Sequence, residues 1–313
     1  MSKKFKILDC TLRDGGYYTN WDFSNILFEK YIKSMNELPV DYIEIGYRNL
    51  FNNDYNGQFY YTPISTIDKA LTFTYKPLVL IIDDRKIELN DIEIILSPCV
   101  DKIKMIRMAV DPENIDSALI KAEKIKGMGF EVAFNLMYLS TWIDNNDIYQ
   151  KFSKIEEKLD YLYLVDSFGS VYPDNLKKII LKIKKIPNVK LGFHGHNNIE
   201  LAFSNSLSAI KSGIDIIDST ILGMGRGAGN LKTELILSFI NNTYKVSVDF
   251  NSLALIVEEF DELHKKYKWG TNLPYILSGF NSIPQKKIMD WSFKKYYSFN
   301  SIINAITTKI INI

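Results

Sequence analysis

Short apolar segments recur along the chain, and each has the length of a β-strand. They are rich in Ile, Val, Leu and aromatic residues and apolar almost throughout, which is typical of parallel strands buried on both faces. The segments comprise residues 5–9, 42–46, 78–83, 102–108, 130–137, 161–166, 189–194 and 214–219.

Helical periodicity fills most of the intervals between these segments. The helices have recognisable ends, such as Ser24 as an N-cap and Pro39 just beyond the end of the first helix. Strand–helix alternation repeated eight times predicts a closed (β/α)8 barrel. An open doubly wound sheet is the alternative, because a count of strands does not show closure. The helical segments comprise residues 24–38, 111–127, 173–185 and 198–211.

The last part of the chain extends beyond the predicted barrel. Residues 231–241 are predicted to form the final barrel helix, and residues 250–266 a further amphipathic helix. We therefore divide the chain into a TIM-barrel catalytic domain, residues 1–245, and a small helical C-terminal extension, residues 246–313. The extension is rich in Tyr, Phe and Ile, and we expect it to pack on the barrel or to form an interface, for example in a homodimer.

The composition is that of a globular enzyme, with 46% hydrophobic and 24% charged residues among 313. Lys and Arg (38) balance Asp and Glu (37), and a net charge of +1 argues against nucleic acid or an acidic membrane as partner. Cys10 and Cys99 cannot form a disulfide framework, and no apolar segment has the length of a membrane span. These features predict a cytoplasmic protein.

Two of the three histidines lie at the end of one predicted strand. In an extended segment, residues two apart face the same way, so His194 and His196 can bind one metal ion. An isolated pair of this kind is more often coincidental, but at the mouth of a barrel a metal site is favoured. Asp14, which follows the first strand, would complete a two-histidine, one-carboxylate site with positions open for substrate.

All of the arginines lie at the end of a predicted strand or in the loop beyond it. Arg pairs bidentately with carboxylate or phosphate in a way that Lys cannot, and Lys is far commoner in this chain. Loops tolerate long charged side chains in general, yet this placement favours an anionic substrate. The five residues are Arg13, Arg48, Arg85, Arg107 and Arg226.

A glycine-rich loop, residues 223–230, follows the eighth strand. Gly223-x-Gly225-x-x-Ala228 satisfies a loose dinucleotide fingerprint. That fingerprint normally lies in the first strand–helix unit of a doubly wound domain, whereas here it follows the last strand. Close passage of the backbone beside a ligand, or a phosphate nest, explains the glycines equally well. The sequence therefore leaves open the hypothesis that this is a dinucleotide-binding protein.

Three motifs together resemble the DRE-TIM metallolyase superfamily in their order, spacing and positions at strand ends. The resemblance covers about residues 5–235. The superfamily includes 4-hydroxy-2-oxovalerate aldolases, hydroxymethylglutaryl-CoA lyases, and isopropylmalate and homocitrate synthases. Its members share a TIM barrel, a divalent metal and a metal-bound enolate. The motifs are Asp9-x-Thr11-Leu12-Arg13-Asp14-Gly15, His194-x-His196-Asn197 and Gly223-x-Gly225-x-Gly227-x-Gly229-Asn230.

The resemblance implies a role for each matching residue. Asp14, His194 and His196 would be metal ligands, with Asn230 as a fourth ligand or a neighbour of the site. The first choice of metal is Mn2+, with Mg2+, Co2+ or Zn2+ as alternatives. Arg13 would stabilise the enolate oxygen. Ser167 would help to hold pyruvate, since Asp166-Ser167 matches a pair in the aldolases. Further substrate-binding residues would be Glu44, Arg107 and Asn135.

The glycine loop is most similar to that of the aldolases. We therefore predict a class II-type pyruvate aldolase, a carbon–carbon lyase that cleaves or forms a 4-hydroxy-2-oxo acid from pyruvate and an aldehyde. The alternative is a Claisen-type acyltransferase that condenses an acyl-CoA with a 2-oxo acid. The identity of the aldehyde and the physiological direction stay open.

The chain departs from the aldolases in two places. They carry Ser-His after Arg-Asp-Gly, and that His is the catalytic base, whereas this chain has Gly16-Tyr17. Tyr17 is the expected catalytic residue there, with assistance from its surroundings or a metal-bound water. The tail also differs, so the aldehyde dehydrogenase that the aldolases dock is not assumed as a partner. Its Trp269 and Tyr275 could cap the pocket or pack on the barrel.

Overall fold

The barrel is closed. A computed structural model describes residues 3–185, 189–294 and 297–308. In this part of the chain, eight parallel strands pair in chain order, and β1 pairs with both β2 and β8. The predicted TIM barrel is confirmed, and the open sheet is excluded. The strands are β1 (Lys6–Asp9), β2 (Tyr42–Tyr47), β3 (Leu78–Asp83), β4 (Met105–Val110), β5 (Glu131–Leu136), β6 (Tyr161–Asp166), β7 (Lys190–Gly195) and β8 (Ile216–Ser219).

Helices surround the barrel and continue into the C-terminal part of the chain. The Ser24 side chain caps α2 by accepting a hydrogen bond from the N–H of Leu27, as predicted. The helices are α1 (Thr11–Thr19), α2 (Asn25–Glu37), α3 (Gln58–Tyr61), α4 (Ile64–Leu71), α5 (Asp91–Leu96), α6 (Ile115–Gly127), α7 (Leu139–Trp142), α8 (Asn146–Lys151), α9 (Pro173–Ile183), α10 (Ala202–Lys211), α11 (Thr233–Tyr244), α12 (Phe250–Tyr267), α13 (Leu273–Phe280), α14 (Gln285–Lys294) and α15 (Phe299–Thr307).

Three boundaries differ from the prediction. Residues 11–19 form α1 directly after β1, although two glycines and no apolar periodicity made them read as a loop. The helix expected from residue 198 begins at Ala202, because the Asn197 side chain accepts its N–H and Glu200 adopts a left-handed conformation. β4 comprises Met105–Val110 rather than residues 102–108. Arg107 therefore lies in the middle of its strand and not at its end.

The barrel interior is filled, so that ligands have access from one end only. Leu8, Val79, Met105 and Ile216 form a buried cluster inside the barrel with the rings of the nearby tyrosines. A second, larger core fills the space between the strands and the helices. Lys6 bonds to the hydroxyls of Tyr42 and Tyr161 at the amino ends of the strands. The polar residues of the three sequence motifs lie at the opposite end, towards the carboxyl ends of the strands, where barrel active sites are built.

Residues beyond the barrel contact the same end of it. Gln285, at the start of α14, accepts a hydrogen bond from the N–H of Ala228 in the glycine loop. On the side of the barrel, α12 packs on α2, with the Phe260 ring against Phe23 and Tyr31. The division at residues 245 and 246 stays a prediction, as does a dimer interface. In the described residues, no helix combines the length and apolar character that crossing a membrane requires.

Candidate active site

The first motif residues after β1 build a rigid support. Asp9 is fully buried, and its Oδ1 accepts hydrogen bonds from the backbone and hydroxyl of Thr11 and from the hydroxyl of Tyr31. Its Oδ2 accepts from Thr233 at the start of α11. Asp9 thus ties β1, α1, α2 and α11 together, and this bonding holds the first turn of α1, which carries Arg13 and Asp14, over the barrel mouth.

The two histidines at the end of β7 each present one unpartnered nitrogen. His194 Nδ1 lies 2.9 Å from Asp218 Oδ2, and His196 Nδ1 donates to the backbone carbonyl of Asp166 at 2.8 Å. In the neutral form of each ring, these partners hold the proton on Nδ1, so Nε2 carries a free lone pair. Both Nε2 atoms are buried and have no hydrogen-bond partner.

The glycine loop brings Asn230 to the same place. The Asn230 amide donates to Asp14 Oδ2, and its buried Oδ1 has no partner. A Cβ at Gly225 would lie 2.3 Å from Nδ2 of Asn230, so a side chain at residue 225 would push this amide away. Gly229 adopts a φ of +78°, which an L side chain rarely adopts, immediately before Asn230. The glycines therefore let the loop fold tightly around Asn230.

These atoms fit a divalent metal ion. One ligand atom from each of Asp14, His194 and His196 lies within 4.8 Å of the other two, and all three residues are buried. Buried imidazole and amide atoms without partners are uncommon in a folded protein unless a ligand or ion pairs with them. Two imidazole nitrogens, a carboxylate and an amide oxygen suit Mn2+, Fe2+, Co2+ or Zn2+.

A chain of buried ion pairs fixes the side chains beneath the pocket. Arg13 donates to Asp14 Oδ1 at 2.6 Å and to Glu44 Oε2 at 2.7 Å. Arg107 lies 3.3 Å from Glu44 Oε1 and 2.6 Å from Asp218 Oδ2. Because Asp218 also holds His194, one continuous network links both arginines to the metal-facing groups. Buried charges are tolerated when each has such partners.

The charges in this network set the protonation of the ligands. Burial alone would raise the pKa of Asp14, but Arg13, with His194, holds it well below its usual range. Burial likewise opposes the charged form of His194, yet the neighbouring Asp14 and Asp218 outweigh burial and raise its pKa. Burial and the proximity of His194 lower the pKa of His196 to about 3. Asp14 is thus an anion and His196 a neutral ligand at neutral pH.

A pocket opens above the network. Its lining includes Arg13 and His194 from the network, together with Tyr17, Asn135 and Arg226. Asn135 accepts from Arg107 Nε through its Oδ1, which leaves its amide N–H groups for a ligand. Glu44 and Arg107 do not line the pocket, since both side chains are fully buried beneath it. Their expected contact with substrate is therefore replaced by a supporting role.

Ser167 and Arg48 are both held by hydrogen bonds to the protein backbone. Ser167 Oγ accepts the N–H of Tyr138, which leaves its own O–H to donate. Asp166 holds the following turn by accepting the N–H groups of Ser170 and Val171. Arg48 does not face the pocket, because its guanidinium donates to the carbonyls of Ile95, Tyr61 and Thr62. The idea that every arginine meets an anionic substrate is therefore wrong for Arg48.

The glycine loop offers no cradle for a dinucleotide phosphate. The N–H of Gly227 points to Met289 Sδ and that of Ala228 to Gln285 Oε1, so residues of α14 occupy the donors. The N–H of Gly229 bonds to the carbonyl of Arg226 within the loop. A closed barrel also lacks the switch point at which dinucleotides bind open sheets. The dinucleotide hypothesis is not supported by this geometry.

Tyr17 faces an aromatic partner, Tyr47, that the sequence does not predict. Its hydroxyl lies 2.9 Å from the hydroxyl of Tyr47, and the Arg226 guanidinium lies over its ring, 4.6 Å from the centroid. Trp21 packs on the Tyr17 ring, and a Cβ at Gly16 would lie 2.0 Å from Trp21. The Gly16-Tyr17 pair therefore belongs to an aromatic cluster that leaves no room for a side chain at residue 16.

Asp218 was also missed, although it is central to the network. The one available signal was a carboxylate within the otherwise apolar eighth strand, residues 214–219. In a closed barrel, a charged residue on an inward-facing position needs a partner inside the barrel. Tyr47 carried no comparable signal, because aromatic residues are common at strand ends.

The fold and the site define a TIM-barrel protein with a two-histidine, one-carboxylate donor set at the carboxyl ends of its strands. A family model described as HMGL-like matches residues 90–258, and the chain belongs to this family.

The chain is also similar to individual known proteins and to solved structures. The chain is 27% identical over 264 residues to a 4-hydroxy-2-oxovalerate aldolase of Carboxydothermus hydrogenoformans, covering 83% of this chain and 77% of that protein. It is 24% identical over 241 residues to an oxaloacetate decarboxylase of Mycobacterium tuberculosis, covering 74% and 68%. Among solved structures, the N-terminal domain of a candidate aldolase from Bacteroides vulgatus superposes with a TM-score of 0.91 at 49% identity, covering 96% of this chain and 100% of that one.

Proposed function

We propose that this protein is a divalent-metal-dependent aldolase. It cleaves a 4-hydroxy-2-oxo acid to pyruvate and an aldehyde, or forms that acid from them, through an enolate of pyruvate. The curated relatives that carry the name 4-hydroxy-2-oxovalerate aldolase support this reaction class. Class II-type chemistry, a cytoplasmic location and a homodimer are parts of the same proposal.

One observation carries the proposal. Two buried imidazole nitrogens without partners face the carboxylate of Asp14, and the guanidinium of Arg13 lies directly against that carboxylate. Together these residues set a cation site beside a fixed positive charge at the mouth of a barrel. This arrangement suits chemistry in which negative charge develops on an oxygen atom.

Asp14, His194, His196 and Asn230 would hold the metal, which we take to be Mn2+. When bound, the metal supplies Lewis-acid polarisation of the carbonyl oxygen of a 2-oxo acid. The histidines need no rearrangement for this role, because Asp218 and the carbonyl of Asp166 already hold both Nδ1 protons.

Arg13 and Asn135 bind the 2-oxo acid. Two guanidinium nitrogens of Arg13 are held by Asp14 and Glu44, and its remaining N–H donors serve the pocket that it lines. As the C3–C4 bond breaks, its electron pair moves towards the C2 oxygen, and Arg13 stabilises the charge that forms there. The amide N–H of Asn135, which lines the pocket, donates to the carboxylate of the substrate. Ser167 is not among the residues that line the pocket, so its contact with pyruvate stays a prediction.

Tyr17 handles the proton of the 4-hydroxyl group. In cleavage, this proton passes to the Tyr17 oxygen while Tyr17 passes its own proton through Tyr47 to solvent water, and the aldehyde carbonyl forms. The enolate later takes a proton from solvent at C3 to give pyruvate. Tyr17 lines the pocket together with Arg13 and shares a hydrogen bond with Tyr47. The Tyr47 hydroxyl can accept and donate in turn, so the pair can pass a proton between the pocket and its outer rim.

The first test measures metal binding and enolate formation without any aldehyde. Calorimetry should find one Mn2+ site per chain that pyruvate tightens, and proton NMR in D2O should show deuterium entering the methyl group of pyruvate. Chelation by EDTA and the His194→Ala change should abolish both signals. His264→Ala is the matched control, because His264 lies on α12 and bonds to the carbonyl of Trp269.

The outcomes separate the hypotheses. Exchange that survives EDTA and His194→Ala, or the absence of exchange in the folded wild type, would overturn the proposal. Release of a thiol from acetyl-CoA in the presence of a 2-oxo acid would instead support the Claisen-type acyltransferase, because an aldolase releases none.

A further inference from the structure

A second cavity continues outwards from the active-site pocket. This outer vestibule is the space between the loop after β2, the loop after β3, Arg226 and the start of α14. Tyr17, Tyr47 and Arg226 line both spaces, so the vestibule opens directly onto the place where the 4-hydroxyl group would lie. A two-carbon aldehyde would not extend into it.

Asn49 in the vestibule is built to receive a ligand. Only 7% of this residue is exposed, and it lines the vestibule. Neither Nδ2 nor Oδ1 of its amide has a hydrogen-bond partner. Two buried atoms, one a donor and one an acceptor, cost folding free energy unless a ligand pairs with them. A hydroxyl group satisfies both, because it donates and accepts at once.

The vestibule also carries cations that lack a counter-charge. Arg226 Nε is buried without a partner, and no carboxylate of the described residues lies within the ion-pair distance of its guanidinium. Lys286, at the start of α14, is exposed at the rim. Asp83 is engaged with Arg85 at 3.3 Å and with Lys86 at 3.8 Å, and Asp54 is the other lining carboxylate. The four cations thus exceed the two carboxylates.

We propose that the vestibule binds the far end of the acceptor aldehyde, and that this end carries a hydroxyl group and a terminal anion. The inference rests on the proposed aldolase function and names its substrate class: a hydroxylated aldehyde ending in a phosphate or carboxylate. Asn49 pairs with the hydroxyl group, while Arg226 and Lys286 pair with the anion. Charge-assisted hydrogen bonds to a partly buried guanidinium are among the stronger polar contacts.

The test uses unreactive probes, so that binding is measured apart from turnover. Calorimetry on the Mn2+-loaded protein compares sn-glycerol 3-phosphate, glycerate and glycerol. At least one anionic probe should bind about tenfold or more tightly than glycerol. Whichever of sn-glycerol 3-phosphate and glycerate binds more tightly identifies phosphate or carboxylate as the terminal group. Equal binding of all three, or none at all, would overturn the proposal.

Variants locate the site. Asn49→Ala and Lys286→Gln should each lower the affinity for the tighter-binding anionic probe by about five- to tenfold. Asn49→Asp should lower it further, because this change adds a negative charge. Lys177→Gln on α9 removes the same charge far from the vestibule and should leave binding unchanged. All of these variants should bind Mn2+ like the wild type, which reports that the inner site is intact. Unchanged probe binding in Asn49→Asp and Lys286→Gln would overturn the assignment.

Deuterium exchange into pyruvate tests the aldolase function separately from the ligand site in the vestibule. Exchange with no preference for anionic probes would leave the aldolase function standing and remove the vestibule proposal. Probe binding that depends on Asn49, without any exchange, would keep the vestibule as an anion site and remove the aldolase function.

Discussion

The floor of the active site and the outer vestibule satisfy their polar groups in opposite ways. On the floor, the carboxylates and guanidinium groups of Arg13, Glu44, Arg107 and Asp218 pair with one another and are nearly fully buried. In the vestibule, Asn49 has no partner within the protein and Lys286 is exposed. Besides the metal-facing atoms, the floor leaves Asp218 Oδ1 without a hydrogen-bond partner, and Glu44 Oε1 and Arg107 Nη1 meet only in an ion pair at 3.3 Å. Each of these floor side chains still has an opposite charge beside it, whereas the Asn49 amide has no partner at either atom.

The difference follows from what builds each region. The floor is built from residues within the strands and from the first turn of α1, which the barrel holds rigidly, while the vestibule is built mainly from loops and from the start of α14. Rigid elements suit the groups that perform the chemistry, and loops on a stable scaffold can vary to suit different ligands. We infer that the floor sets the reaction and the vestibule sets the aldehyde, and that changes in one should hardly affect the other.

The largest expected effect comes from Arg13→Lys. An ammonium group cannot reproduce the fork that reaches Asp14, Glu44 and the pocket at once, so we expect kcat for aldol cleavage to fall about 100- to 1000-fold. Probe binding in the vestibule should stay unchanged. Arg48→Lys makes the same change at a residue whose guanidinium donates to three backbone carbonyls away from the pocket. This control should lower Tm, and its loss of kcat should be much smaller than that of Arg13→Lys. Equal losses of probe binding and kcat in Arg13→Lys would show that the two regions are not separate.

How much could be predicted from the sequence differs between the same two regions. The strand pattern and the His194-x-His196 spacing placed the barrel and the metal-facing histidines, because a period of two sends both side chains to one face. The ends of strands were harder to predict. β4 ends at Val110, two residues beyond its predicted end, so Arg107 lies beneath the pocket instead of at it.

The vestibule could not have been predicted from local patterns. Nothing in the sequence distinguishes Asn49 from the other asparagines of its loop, Asn52, Asn53 and Asn56, and only the folded structure shows that its amide is buried without a partner. The contact of Gly16 with Trp21 and the hydrogen bond of Tyr17 to Tyr47 likewise join residues whose proximity depends on tertiary packing. Periodicity indicates which face of a helix or strand is apolar, but it does not indicate which residues from different elements come into contact.

A smaller effect is expected from Asp218→Asn, which acts on the floor alone. An amide still accepts the Nδ1 proton of His194, but it removes the negative charge that strengthens this ligand and holds Arg107. Outer partners of metal-bound histidines typically contribute about 10- to 100-fold to metal affinity, and we expect Mn2+ binding to weaken within that range. Calorimetry with Mn2+ measures it, and the glycerol 3-phosphate probe serves as the control for the vestibule. Unaltered Mn2+ affinity in the folded variant would remove Asp218 from the site.

The smallest expected effect lies in the loop that joins the two regions, residues 222–230, which carries both Arg226 and Asn230. Glu234 accepts the N–H of Leu222, which adopts a left-handed φ of 52° at the start of this loop. Burial raises the pKa of Glu234 above 4.5, and the hydrogen bonds from backbone N–H groups only partly oppose burial.

The folded protein therefore favours the protonated acid, and the resulting stability is present below pH 4.5 and is lost as the pH rises through the raised pKa. Glu234→Gln keeps an acceptor for Leu222 and does not titrate. Thermal unfolding should show the variant gaining stability relative to the wild type between pH 4.5 and neutral pH. Mn2+ affinity and probe binding should move together if this loop couples the floor to the vestibule, because both Asn230 and Arg226 depend on its conformation. A Tm difference that is the same at both pH values would instead mean that the Glu234 carboxylate is as well solvated in the folded protein as in the unfolded chain.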